Sequence, residues 1–95
     1  MAKTQVSLEM TITLAEFRSR LPEAVGGAFE ESGHHFHGRD GSRTWQLRIL
    51  PLPGRRLGAL SLDRLNVELE FDGYTAAEVE AFLARFRLHY HRGGG

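Results

Sequence analysis

Residues Leu65–Phe86 read LNVELEFDGYTAAEVEAFLARF, and the change of period within them decides the architecture. Leu65, Val67, Leu69 and Phe71 alternate with Asn66, Glu68, Glu70 and Asp72, the pattern of a strand with one face in a core and the other in water. Asp72-Gly73 breaks the alternation. Val79, Phe82, Leu83 and Phe86 then recur at i, i+3, i+4 and i+7, the apolar stripe of a helix. Thr75 and Glu78 have capping-box spacing, so each side chain can satisfy a backbone N–H left orphaned in the first turn. Tyr74 and Val79 flank the box as a hydrophobic staple. The segment predicts strand, turn and helix.

The same design stands near the start of the chain. Val6, Leu8, Met10 and Ile12 alternate with Ser7, Glu9, Thr11 and Thr13. Thr13 and Glu16 repeat the capping box, Ile12 and Phe17 take the staple positions, and Leu14, Phe17 and Leu21 supply a helical stripe. Pro22 removes a backbone N–H, which predicts that this helix ends there or restarts with Pro22 in its first turn. Gly26-Gly27 closes the segment. Two strand–helix units of one design, one towards each end of the chain, point to a β-α-β plan built twice.

Between them the pattern is mostly extended. Ala28–Gly33 has no clear period and reads as a loop. His34–Arg39 and Arg43–Leu50 read as a hairpin joined through Asp40-Gly41, with Phe36 opposite Trp45 and His34 opposite Leu47. Phe36, Trp45, Leu47 and Ile49 then share the core face, and His35, His37, Thr44, Gln46 and Arg48 the wet one. Pro51–Gly54 (PLPG) reads as a loop, because prolines do not fit a central strand. Alternation resumes over Leu57–Leu62, and Asp63-Arg64 shifts its phase, implying a bulge or tight turn. Arg87–Arg92 alternates again and reads as a last strand, with Leu88 and Tyr90 inward and Arg87, His89 and His91 outward. The order β-α-β-β-β-α-β predicts an α+β, ferredoxin-like two-layer sandwich: an antiparallel sheet with two helices on one face. Residues 1–92 form the single expected domain, and Gly93–Gly95 a flexible tail.

Composition narrows the function classes. The chain has 95 residues, 12 basic and 12 acidic, for a formal net charge of zero. Such balance gives no long-range steering towards nucleic acid or an anionic membrane. Lys3 is the lone lysine, an arginine bias that fits the codon usage of a GC-rich bacterial genome. Cysteine is absent, which removes thiol nucleophiles, thiolate metal sites and disulfides, and fits a reducing compartment. With no apolar leader at the N-terminus and no stretch near the ~20 apolar residues of a span, the expected location is cytoplasmic.

The histidines fall into two groups, HHFH (His34, His35, His37) and HYH (His89, His91). Each i, i+2 pair would project two imidazoles from one strand face, a donor set for zinc, nickel or copper that Glu9, Glu68 or Glu70 could complete. Without metal, the same imidazoles beside Glu68, Glu70 and Asp72 make an interface that tightens as pH falls through ~6.5. Nucleic-acid sheets present outward aromatics for base stacking, whereas here the aromatics point inward, so nucleic acid is disfavoured despite Arg48, Arg55, Arg56 and Arg64. No phosphate loop, nucleophile elbow or metalloprotease motif is present, so an enzyme is not expected.

The C-terminal HRGGG is similar to the Gly-Gly ends of ubiquitin-like modifiers and bacterial sulfur carriers. That resemblance implies a side-chain-free tail threaded into an activating enzyme. The expectation drawn from the rest of the chain is a small non-enzymatic binding or adaptor domain that needs no cofactor. It would act on a protein partner or a second copy through the open polar sheet face, with no membrane partner. The residues expected to carry contacts are His35, His37, Gln46, Arg48, Glu68, Glu70, His89 and His91; the alternatives are a histidine-based divalent-metal protein and a Gly-Gly carrier.

Overall fold

A computed structural model describes residues 3–90. The chain runs β1 (Lys3–Met10), α1 (Leu14–Val25), β2 (Phe29–Ser32), β3 (His35–Asp40), β4 (Arg43–Leu57), β5 (Leu60–Asp72) and α2 (Ala76–Tyr90). All five strands join one antiparallel sheet in the order β1-β5-β4-β3-β2. The α+β class, the antiparallel sheet and the two helices are as expected. The ferredoxin-like order is not, because β2 to β5 form an uninterrupted meander and the last described element is a helix. Helix α1 carries the chain from the β1 edge to the β2 edge, and β5 returns to close against β1.

The period-two segments behave as their pattern dictates. Leu65, Val67, Leu69 and Phe71 of β5, with Phe36, Trp45, Leu47 and Ile49, are buried in one core with Phe17, Leu21, Val79, Leu83 and Phe86 from the helices. Both helices therefore cover the same face. The Thr75–Glu78 box closes reciprocally as read; at α1 the Thr13 Oγ1 accepts from the Glu16 N–H, while the Glu16 carboxylate accepts from Arg20. The helices pack antiparallel, with Phe17 stacked on Tyr90 at 4.8 Å and the Tyr90 hydroxyl donating to the Phe17 carbonyl at 2.8 Å. Each helix also caps the other: Arg85 donates to the Glu23 carbonyl near the end of α1, and Arg20 to the His89 carbonyl near the end of α2.

Six local expectations are corrected. Ala28–Gly33 contains strand β2, paired to β3 with Glu30 opposite His37 and Ser32 opposite His35. Helix α1 passes through Pro22 and ends at a left-handed Gly26; Arg18 and Pro22 both lie on its exposed side, where water can serve the carbonyl that the proline leaves unbonded. The hairpin turns on Gly41-Ser42, with Asp40 paired to Arg43 and Phe36 to Leu47; Gly41 has φ +65°, as a Gly-X hairpin turn requires. This pairing differs from the expected one by two residues, and an even slip leaves every side chain on its predicted face.

Pro51–Gly54 lies inside β4, not in a loop. The Ile49 N–H donates to His34 on the β3 side, so Pro51, two residues on, faces a side where β3 has already ended and no partner is lost. The irregularity expected at Asp63-Arg64 falls across from it, between Leu52 and Arg55 of β4. Finally, the described part of the expected last strand, residues 87–90, is helical: α2 continues to Tyr90, and Leu88 is 72% exposed rather than inward. The rest of that segment and the glycine tail lie outside the described residues.

Two substitutions test the packing. A Cβ at Gly38 would stand 2.6 Å from the buried Trp45 indole, so Gly38→Ala should destabilise the domain by about 1–3 kcal/mol in urea unfolding. Burial pushes the Tyr90 phenol above its ordinary value of 10. The folded chain thus holds that proton more tightly than the unfolded one, and stability falls as pH rises above 10. Tyr90→Phe should cost about 1 kcal/mol at pH 7 and lack this alkaline loss, read from urea midpoints between pH 8 and 11.

Candidate functional site

Because both helices lie on one face, the other side chains of the five strands form a continuous uncovered surface. The strand registers arrange them in rows. One runs Gln5, Glu70, Gln46, His37, Glu30 across β1, β5, β4, β3 and β2. The next runs Ser7, Glu68, Arg48, His35, Ser32. A shallow groove of about 370 Å³ lies over the middle of these rows, walled by Gln5, Ser7, His35, Gln46, Arg48, Glu68 and Glu70. Six of the eight expected residues (His35, His37, Gln46, Arg48, Glu68 and Glu70) therefore share one face.

His89 does not join them. It lies on α2, on the opposite side of the sheet, and its carbonyl accepts from Arg20. His91 lies outside the described residues. Gln5, Ser7 and Glu30 belong to the face and were not among the expected residues. The alternation of β1 already placed Ser7 outward, whereas Glu30 needed the register of a four-residue strand that has no period of its own.

The groups on the face differ in how fully they are engaged. His35 Nε2 is 3.0 Å from Gln46 Oε1, His37 Nε2 is 3.1 Å from Glu30 Oε1, and Lys3 Nζ is 3.3 Å from Glu70. Ser7 donates to Asn66 at 3.1 Å, and Arg64 bonds Glu9 and the Pro53 carbonyl. Arg48 and Glu68 stand opposite each other on the two central strands, yet neither has a hydrogen-bond or ion-pair partner among the described residues. They are the two free charges of the groove.

The metal reading loses its geometry here. The His35 and His37 rings are 5.9 Å apart and each Nε2 is directed to a different neighbour. Among the described residues no three His, Asp or Glu side chains are placed to hold one ion. The paired region of the open face bears no Phe, Tyr or Trp, since Phe36, Trp45 and Phe71 are all in the core. No described helix is long and apolar enough to cross a membrane.

A second polar cluster has a structural role. Arg43, beside the hairpin turn, bonds Asp40 and reaches Glu78 at 2.7 Å while lying 5.0 Å over the Tyr74 ring. It ties the β3–β4 turn to the first turn of α2. No protein-family model, no curated protein and no solved structure matches the chain.

The Thr75 N–H, and after it the Arg43 guanidinium, hold the Glu78 carboxyl below its ordinary value of 4.5. The ionised form therefore stabilises the fold at neutral pH, and that contribution fades as pH falls below 4.5 through the lowered value. Glu78→Gln keeps a capping acceptor without the charge. Its urea midpoint should fall less than that of the parent between pH 6 and pH 3.

Proposed function

We propose that this chain is a non-enzymatic protein-binding domain, and that its uncovered sheet face recognises a polar partner surface carrying both signs of charge. The observation that carries the reading is the groove centred on Arg48 and Glu68, opposite charges side by side with no partners of their own among the described residues. A partner presenting one acid and one base at matching positions would pair both charges. It would leave neither buried uncompensated, which is the costly outcome when charges are desolvated at an interface. Gln5, Gln46 and Ser7 supply neutral donors and acceptors around that centre. The mixed charge and the absence of outward aromatics favour protein over nucleic acid. The cysteine-free composition fits a cytoplasmic setting.

The test compares the tagged domain with its Arg48→Glu/Glu68→Arg double variant in an extract of the native host, with quantified capture. Reversal should lower the retained amount of a specific protein by about tenfold or more, while circular dichroism and urea midpoint stay unchanged. Equal capture by both forms would overturn the reading.

A further inference from the structure

The outer edge of β1 is the second surface that the fold leaves unfinished. The Ile12 N–H donates to the Asp63 carbonyl at 3.1 Å, continuing the ladder that pairs Met10 with Leu65. In an antiparallel ladder the residues of one strand alternate between backbone groups turned to the neighbour and turned away. Thr4, Val6, Leu8 and Met10 therefore spend theirs on β5. Lys3, Gln5, Ser7 and Glu9 turn theirs outward, where no described strand meets them. On the helix side of this edge, Val6, Leu8 and Met10 are only half-buried against the core. An eight-residue strand with free backbone groups and incompletely covered apolar side chains is a template for a further strand.

We propose that the occupant is the β1 strand of a second copy of this chain, paired antiparallel about a two-fold axis to give one continuous ten-stranded sheet. Side chains that face each other across antiparallel strands must lie on the same sheet face, so only registers that match outward with outward are allowed. One of these opposes Lys3, which lies 3.3 Å from Glu70 of its own copy, to Glu9 of the second copy, which its own Arg64 bonds, and by symmetry Glu9 to Lys3, so that the two intrachain pairs join in one network across the axis. That register also brings every outward-turned residue of β1 into a bonded pair, with Gln5 against Ser7, and sets Val6 against Val6 on the helix side. Sliding by two residues sets Gln5 against Glu9 and leaves Lys3 beyond the paired strand, so charge selects the first.

The β2 edge does not offer the same solution. It is four residues long and carries Glu30 and Glu31, so pairing two copies there opposes like charges. With β1 joined to β1 the assembly closes as a dimer. The grooves of the two copies meet at the axis, because Gln5 and Ser7 wall the groove at this edge. The assignment does not depend on the Arg48/Glu68 reading: its readout is self-association, whereas that reading is tested by capture of a different protein.

Sedimentation equilibrium of the full chain gives the test. The parent should be a dimer with concentration-dependent dissociation. Lys3→Gln and Glu9→Gln should each weaken it by about tenfold, and the double variant Lys3→Gln/Glu9→Gln should lose little more than either single one, because each alone already removes both cross-axis pairs. Ser7→Pro removes an outward N–H and the exposed hydroxyl bond to Asn66 but no backbone bond to β5, and should give a folded monomer by circular dichroism. A parent that is monomeric at millimolar concentration overturns the proposal. So does a dimer insensitive to Ser7→Pro, or fully additive losses in the double variant.

Discussion

Strand β5 is the constraint on which the molecule rests. It is bonded along both edges, to β1 and to β4, and one of its faces is sealed under the helices, with Leu65, Val67, Leu69 and Phe71 each no more than 3% exposed. A strand so enclosed fixes its neighbours' register, because a one-residue slip would exchange these four for Asn66, Glu68, Glu70 and Asp72. Both helices are needed to roof that single face, and none remains for the other. The result is a strict partition: no polar or charged residue is buried among those described. The carboxylates, imidazoles and amides of the strands gather on the uncovered side.

The roof is held by contacts that cross between elements distant in sequence. Phe17, Phe86 and Tyr90 interlock the helices, and the exchanged caps from Arg85 and Arg20 satisfy carbonyls at each helix's end with charge of the favourable sign. Arg43 joins the sheet's hairpin turn to the start of α2 through Glu78 and Tyr74. Arg18 of α1 bonds Glu31 of β2. These ties fasten the helix layer at both ends and at the β2 edge. The open face is thus presented by a braced sheet, which lowers the ordering cost of binding there.

Periodicity and capping made the larger part of this fold legible, since both are local. The two capping boxes, the buried stripe of α2 and the apolar faces of β1, β3, β4 and β5 follow from side-chain spacing alone. What failed was decided by tertiary context. Arg87–Arg92 alternates as well as a strand does, but continuing α2 through Tyr90 buries that ring against Phe17. Pro51 could be carried in a strand because β3 stops short of it, a fact about a neighbour rather than about the proline. The six residues read correctly onto one face owe their placement to alternation. His89 was misplaced by the same rule applied to a helix.

Strand order, by contrast, has no local signature, and it is strand order that separates the two surfaces left for recognition. In a ferredoxin-like order the first strand would be internal and its backbone spent on both sides. Here the return of β5 to β1 leaves the first strand at the edge, beside the groove rather than beneath it. The face then offers side chains with little backbone, and the edge offers backbone with charges only at its ends. The two surfaces thus differ in chemistry, the face presenting side chains of both signs and the edge free backbone groups. Each surface holds charge of both signs, Arg48 and Glu68 on the face and Lys3 and Glu9 along the edge strand.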